Sequence, residues 1–595
     1  MSDYIAPARD ITFALNELAD LPTINQLESF EDATPDLVDA IVEEAAKLAN
    51  GVLSPLNQKG DETGTRVEDS KVVPAEGFSD IYQAFREGGW PALPFDPTRG
   101  GQGLPETIAC AINEIWQSAN MAFALCPMLT EGAAVAINEH ASDELKDRYL
   151  PNMISGEWTG TMNLTEPQAG SDLAAVKTRA EPEGDHYRIF GQKIYITWGD
   201  HDFTDNIIHL VLARLPDAPP GIKGISLFIV PKFLVNEDGS AGERNDVYPV
   251  SVEHKLGINA SPTCVMSYGD NGGAIGYLVG EPHSGIVCMF TMMNHARIAV
   301  GVQGLSISER AYQQARGYAL ERVQGQRPGH EGRLTIIHHP DVRRMLMLIK
   351  AGTEAMRAVC YVTTSSLDFA HHSDSEELRQ YHDERFALLT PVVKAWCTEL
   401  GQELSSLGVQ VHGGMGYIEE TGAAQHFRDA RITTIYEGTT GIQSQDLIGR
   451  KVLRDSGKAM QTLVGEMRQV AKELETIDQD KIGNMARLLS DAIDTLEKAT
   501  DWILENYQAD PNAPGTIAVN YMMLTGMVCG GWQMARAALC AQEKLNSGTD
   551  ESDFYETKLV TARFYSEHYL PRTAAYLETI SAGSESVMAL APDQF

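Results

Sequence analysis

The residue texture of the chain changes twice, and those two changes limit what it can fold into. Up to about residue 158 the apolar residues recur at helical spacing, as in TPDLVDAIVEEAAKLANGV with its Thr-Pro start. Between about 160 and 283 they gather into short β-branched and aromatic runs. HYRIFGQKIYITWG, NIIHLVLARL, GISLFIVP and SVEHKLGINASPTCVMSYGD are separated by Gly, Pro, Asp and Asn, as in an antiparallel β domain. From 284 onward helical spacing returns. In HARIAVGVQGLSISERAYQQARGYALERVQG, Ile298, Val302 and Leu305 share one face with small residues between them, which predicts close packing in a bundle. A chain of 595 residues also exceeds one ordinary core. The reading is an α+β chain, mainly α. Its predicted domains are 1–158, helical; 159–283, β; 284–450, a helical bundle; and 451–595, a further helical block. Within the first, SDELKDRYLPNMISG predicts a Ser-capped helix that stops near Pro151.

Composition narrows the partners. Lys and Arg number 47 against 82 Asp and Glu, a net charge of −35, which disfavours nucleic acid and anionic membranes. No Cys-x-x-Cys pair occurs among the eight cysteines, so buried reduced thiols in a cytoplasmic protein are expected. The start MSDYIAPARDITFAL lacks a basic region followed by an apolar run, and TIAVNYMMLTGMVCGGWQMARAAL is broken by Asn520, Gln533 and Arg536. Neither a secretory signal nor a membrane span is expected. No Gly-x-Gly-x-x-Gly follows a strand. A Walker loop, His-Glu-x-x-His and Gly-x-Ser-x-Gly are absent too, and no metal site is expected.

Against this acidic background ARITTIYEGTTGIQSQDL stands out. Glu437 is alone in an apolar run that ends in Gly438-Thr439-Thr440-Gly441. A lone carboxylate among apolar residues gains a raised pKa on burial and becomes a competent base. Three other stretches accompany it: MNLTEPQAGSD at 162–172, KIYITWG at 193–199 and QVHGGMGY at 410–417. Together, in this order and spacing, the four resemble the acyl-CoA dehydrogenase family over about residues 90–450. The resemblance implies a helical N-terminal domain, a middle β-barrel and a four-helix bundle, with FAD as cofactor and α,β-dehydrogenation of an acyl-CoA as the activity.

The resemblance also implies roles. Glu437 matches the base that takes the α-proton while flavin N5 takes the β-hydride. Met162, Leu164, Thr165, Ser171, Tyr195, Thr197 and Thr439 match flavin contacts, with Tyr195 standing where many relatives have Trp. Arg322, Gln410, Gly413 and Gly414 match groups that reach the FAD of a neighbouring subunit. Ser171, Asn294, Arg297 and Gly438 match the substrate side. Some relatives carry the base one residue before the bundle arginine; here that residue is Ala296, which leaves Glu437 without a rival.

Two departures are visible. The Phe-Gly pair common after Arg322 is replaced by VQGQRPGHEGR, and Ile442-Gln443 is followed by Ser444-Gln445 rather than Arg. The helical block after 450 resembles a longer bacterial subgroup. That subgroup implies medium- or long-chain straight acyl-CoA as the favoured substrate and a thioether acyl-CoA, 3-methylmercaptopropionyl-CoA, as the alternative. An electron-transfer flavoprotein is the implied electron acceptor, and a homodimer the favoured assembly. An acyl-CoA oxidase and a non-catalytic acyl-CoA-binding protein are the other readings.

Overall fold

The structure is a computed structural model, described over residues 4–329 and 331–595. The first three residues and His330, in the Gly/Pro segment after Arg322, lie outside that range. The chain divides into two compact units. One takes in Glu44–Leu104 and Ile115–Ala296; the other takes in residues up to Glu43, Pro105–Glu114 and Arg297–Phe595.

The first unit is built round a sheet. Helix α1 (Met121–His140) starts where Asn120 Oδ1 accepts the Phe123 amide at 3.1 Å. Eight strands form the main sheet: β1 (Trp158–Asn163), β2 (Arg179–Glu183), β3 (His186–Thr197), β4 (Asn206–Arg214), β5 (Ile225–Pro231), β6 (Val247–Val252), β7 (Thr263–Tyr268) and β8 (Ala274–Val279). They hydrogen-bond in the order β6-β7-β3-β8-β5-β4-β1. Strand β2 pairs with both β3 and β4, so the ring β3-β8-β5-β4-β2 closes and its edges disappear. Only β1–β4 and the short β2–β4 contact are parallel. Strands β1, β4 and β5 are buried on both faces, which is why their sequences run apolar without alternation. Ile189, Val211, Phe228, Val230 and Met266 fill the interior.

The second unit is helical: α2 (Gly285–Glu321, from Arg297 onward), α3 (Pro340–His372), α4 (Glu376–His412), α5 (Thr440–Asp446), α6 (Lys458–Leu474), α7 (Met485–Asn506), α8 (Ala513–Asn546) and α9 (Ser552–His568). The small residues of α2 do what their spacing predicts. A Cβ placed on Gly401 of α4 would lie 3.1 Å from the Gly304 Cα, and one placed on Gly304 would enter the Cys397 carbonyl. The two backbones therefore touch. On the other side of α4, Gly526 and Gly530 of α8 make room for the Trp396 ring, so the last helical block shares one core with the bundle.

The amino-terminal segment belongs to this core. Phe13 meets Phe554 edge-on at 5.7 Å, Arg9 pairs with Glu551 at 2.8 Å, and Lys558 of α9 binds both Asp10 and Glu354, the latter at 3.0 Å. Deeper in, Arg357 of α3 donates to Glu114 at 2.7 Å and to Glu309 at 2.9 Å, and the Tyr361 hydroxyl donates to Glu114. Asp368, at the far end of α3, accepts the backbone amides of Glu106 and Thr107 at 2.8 and 3.0 Å. Burial pushes its carboxyl up to about 6.

One local expectation is corrected. The Ser142-capped helix does not stop at Pro151 but runs from Asp143 to Ile154. Proline forfeits one amide bond there, and the helix recovers through Ser155 N, which donates to the Pro151 carbonyl at 3.0 Å. All eight cysteines are free thiols, and only Cys540 is partly accessible. Helices α1 and α2 are long and apolar enough to cross a membrane, yet 83% and 61% of their apolar windows are buried in the protein, as in core helices.

The buried Arg357 cluster generates a test. Arg357→Met strands two carboxylates, Glu114 and Glu309, in the core. It is expected to lower unfolding free energy by about 3–5 kcal/mol in urea titrations, and a loss below about 1 kcal/mol would refute this account of the cluster.

Candidate active site

The stretch around Glu437 is a reversed turn between two short helical pieces. A 3₁₀ segment, Arg431–Thr434, leads in. Helix α5 leads out, capped by Thr439, whose Oγ1 accepts the Ile442 amide at 3.2 Å. Between them Glu437 has φ +55° and Gly438 φ +94°. Two successive left-handed residues turn the chain back on itself. For a glutamate this conformation carries a cost on the order of 1 kcal/mol, which the surroundings must offset. Glycine is required at 438 for a second reason: a Cβ there would collide with Nε2 of Gln443, a fully buried amide beneath the turn.

The surroundings come from the two helices that touch at Gly304 and Gly401. From α2, Gln303 accepts the Tyr436 hydroxyl, and the buried Arg297 bears on the carboxylate. From α4, Glu399 accepts the Thr440 hydroxyl at 2.6 Å. Lys394, with no exposed surface, donates from Nζ to the carbonyls of Thr433, at 2.8 Å, and Gly438. Asn294, on α2 three residues before Arg297, is half-buried.

Electrostatically the turn is poised. Burial pushes the Glu437 carboxyl up to about 7, and the cationic Arg297 and Lys394 restrain the rise. Burial pulls the Lys394 ammonium down to about 7, opposed by Glu437 and Glu399, and it also lowers Arg297. The sign matters for stability. A carboxyl raised in the fold favours the folded state below its ordinary 4.5, and that contribution is lost as pH rises through 7.

The barrel unit assembles a second group of the residues singled out in the sequence. Met162 lies near the end of β1, and Leu164 and Thr165 follow it. Ile194 N donates to the Thr165 carbonyl at 3.0 Å, and Thr161 Oγ1 donates to the Thr197 carbonyl at 2.6 Å. Thus Met162, Leu164, Thr165, Tyr195 and Thr197 come together where β1 meets the end of β3. Tyr195 sits at φ +60° with 60% of its surface exposed, an aromatic side chain presented outward from a closed barrel. Ser171 lies exposed in the loop beyond.

What fixes that loop is a pair the sequence reading passed over. Lys193 Nζ, fully buried, donates to the Leu164 carbonyl at 2.9 Å and to Glu166 at 2.8 Å. Glu166 also accepts the amides of Lys177 and Thr178 and the Thr178 hydroxyl. These contacts hold its carboxyl well below the ordinary value. Both residues stand inside the stretches quoted for the resemblance; the hydroxyls beside them drew the attention. Lys394 was also missed. It is a lone cation in the apolar run TPVVKAWC, the same signal that marked Glu437.

Arg322, Gln410, Gly413 and Gly414 form a separate, exposed group. The Tyr318 and His412 rings stack at 4.6 Å and bring the ends of α2 and α4 together there. A Cβ on either glycine would meet nothing within 4 Å, so the backbone is open to an approaching surface.

Four family models match the chain in succession. They are the acyl-CoA dehydrogenase N-terminal domain over residues 36–157, middle domain over 161–270 and C-terminal domain over 283–453, then the acetyl-CoA dehydrogenase C-terminal-like domain over 463–591. The chain is 45% identical over 589 residues to the 3-methylmercaptopropionyl-CoA dehydrogenase of Ruegeria pomeroyi, covering 98% of this chain and 99% of the relative. It is 34% identical over 613 residues to a butyryl-CoA dehydrogenase of Syntrophomonas wolfei, covering 100% and 99%. Among solved structures, an acyl-CoA dehydrogenase of Bacillus anthracis complexed with FAD shares the fold at a TM-score of 0.74 and 22% identity, over 96% of this chain and 91% of that one.

The turn geometry predicts the effect of Gly438→Ala. The added methyl must displace Gln443 and hold φ +94°, so a loss of about 1–3 kcal/mol is expected with helix content unchanged. A loss under about 0.5 kcal/mol would mean the turn tolerates a side chain.

Proposed function

The chain belongs to the acyl-CoA dehydrogenase family and is an FAD-dependent acyl-CoA dehydrogenase, and on that premise we propose that Glu437 is the base that removes the α-proton of the thioester. The observation that carries this reading is the carboxylate's setting. It is raised to about 7 by burial and held in a left-handed turn between Arg297 and Lys394. A base with that pKa is half-ionised at neutral pH, whereas an ordinary glutamate would be too weak. Its own backbone N–H donates to the thioester oxygen as enolate charge develops. Gly438 leaves room for the acyl group, and Asn294, Arg297 and Ser171 bind the rest of the substrate.

The barrel residues fit a flavin. The outward Tyr195 ring offers an apolar face beside the Thr165 and Thr197 hydroxyls and the backbone of Met162 and Leu164. Thr439 adds a hydroxyl from the turn. FAD, when bound, supplies the acceptor for the hydride that leaves the β-carbon. Arg322, Gln410, Gly413 and Gly414 reach the cofactor of a second copy. That role requires an oligomer, for which a homodimer is the favoured form, and the open backbone at both glycines supports it. The four-part division at 158, 283 and 450, a cytoplasmic location and an electron-transfer flavoprotein as electron acceptor complete the reading.

Among the full-length relatives, those named for a thioether and for a butyryl thioester favour a short acyl group, while another is named for broad-specificity linear acyl-CoA. We place 3-methylmercaptopropionyl-CoA first and short straight acyl-CoAs second. In the thioether the oxidised bond is Cα–Cβ, and the sulfur beyond it is untouched.

The test is anaerobic flavin reduction with a panel of acyl-CoAs. The thioether and butyryl thioesters are expected to bleach the flavin fastest; a preference for dodecanoyl-CoA would restore the longer-chain expectation. Glu437→Gln is expected to slow reduction roughly 100- to 10,000-fold, and reduction at the wild-type rate would remove Glu437 from its role. The wild-type rate should rise with pH through about 7, because the carboxylate is the working form. A rate flat between pH 5.5 and 8.5 would contradict that. Peroxide formed at the turnover rate under air would make the enzyme an oxidase.

A further inference from the structure

Lys394 is an unusual residue to bury. It has no exposed surface. Its ammonium meets two main-chain carbonyls, those of Thr433 and Gly438. These carbonyls bracket residues 434–437. One closes the 3₁₀ segment, and the other belongs to the second left-handed residue of the turn. A reversed turn leaves such carbonyls without helical or sheet partners, and a buried carbonyl without a donor costs about 1–3 kcal/mol. An ammonium has three donors that rotate freely about one bond, so it can serve converging acceptors that a planar guanidinium fork would not fit.

The helix that carries Lys394 is itself fixed. It touches α2 backbone to backbone at Gly401, and Glu399 holds the Thr440 hydroxyl just past the turn. Helix α4 thus grips the turn on both sides of Glu437.

We propose that Lys394 is the positioning residue for the base: its ammonium clamps the carbonyls of Thr433 and Gly438 and holds Glu437 in the left-handed turn from which it acts. This rests on the reading of Glu437 as base. The clamp also brings a positive charge to the carboxylate. The groups that bear on the pair are Arg297 from α2 and Glu399 from α4, with Tyr436 beside Glu437; Asp429 acts on Tyr436, and Asp446 and Arg450 act on Arg297. Removing the ammonium takes away one of the two cations that favour ionised Glu437, so the carboxyl pKa rises.

The experiment uses the FAD-loaded full chain and four variants, Lys394→Met, Lys394→Gln, Lys394→Arg and Glu437→Gln. Each is mixed anaerobically with butyryl-CoA and with 3-methylmercaptopropionyl-CoA. The readouts are the rate of flavin reduction from pH 5.5 to 8.5, the acyl-CoA affinity and the FAD content. Lys394→Met is expected to slow reduction at least 10-fold at pH 6.5, where the ammonium, itself held down to about 7, is still charged. Its FAD content and affinity should stay within about two-fold, and its acid limb should move up by about one pH unit. Lys394→Gln keeps a donor without charge and should recover rate but not the limb. Lys394→Arg keeps the charge and should return the limb toward wild type.

A wild-type rate and limb in Lys394→Met would overturn the proposal. So would a slow Lys394→Met whose limb is unmoved and which neither variant rescues, since that pattern marks a purely structural lysine. If Lys394→Met does not fold, Lys394→Gln and Lys394→Arg decide by the same two readouts. Failure of the underlying reading looks different: Glu437→Gln would then reduce its flavin at the wild-type rate.

Discussion

Two helices meet with no side chain between them, at Gly304 and Gly401, and the candidate chemistry depends on that contact. Arg297 and Gln303 project from one helix, and Lys394 and Glu399 from the other. Close approach brings all four within reach of the eight residues Thr433–Thr440. A larger residue at either glycine would separate the backbones, and the polar groups that hold Tyr436, Gly438 and Thr440 would no longer converge. The glycines are therefore as much a part of the site as the charges are.

The same unit shows how a protein can hold a base that is neither fully buried nor free. Burial alone would protonate Glu437 at neutral pH, and full exposure would leave it too weak. The turn keeps it partly covered and supplies two cations that pull the pKa back toward 7. The conformational cost of a left-handed glutamate is met by hydrogen bonds from elsewhere, the usual bargain at strained functional positions.

Much of this was legible in the residues. The β texture corresponds to the closed barrel and the helical texture after 284 to most of the helical unit, whereas the first 158 residues are divided between the two units; the apolar isolation of Glu437 pointed to a perturbed carboxylate. Other features were not legible, for physical reasons. Pro151 was read as a stop, but proline interrupts only one amide bond and its carbonyl can still accept. Thr439 was read toward the cofactor, and the structure shows its hydroxyl capping α5. Lys193 and Glu166 lie 27 positions apart, and their pairing exists only because the barrel brings β3 back past the end of β1. Nothing local in PARDITF announced that it packs against the last long helix.

That last contact has a consequence for how the chain is made. Asp10 binds Lys558, a partner 548 positions away. At ordinary rates of synthesis, Lys558 emerges roughly half a minute to two minutes after Asp10. Throughout that interval Phe13 and its neighbours have no α9 to cover them. The barrel strands fall entirely between residues 158 and 279 and can close while the ribosome is still working. The helical unit cannot finish before α9 is made. The segment around Phe13 and α9 complete each other, so until α9 is made that segment stays an uncovered apolar surface for chaperones to meet.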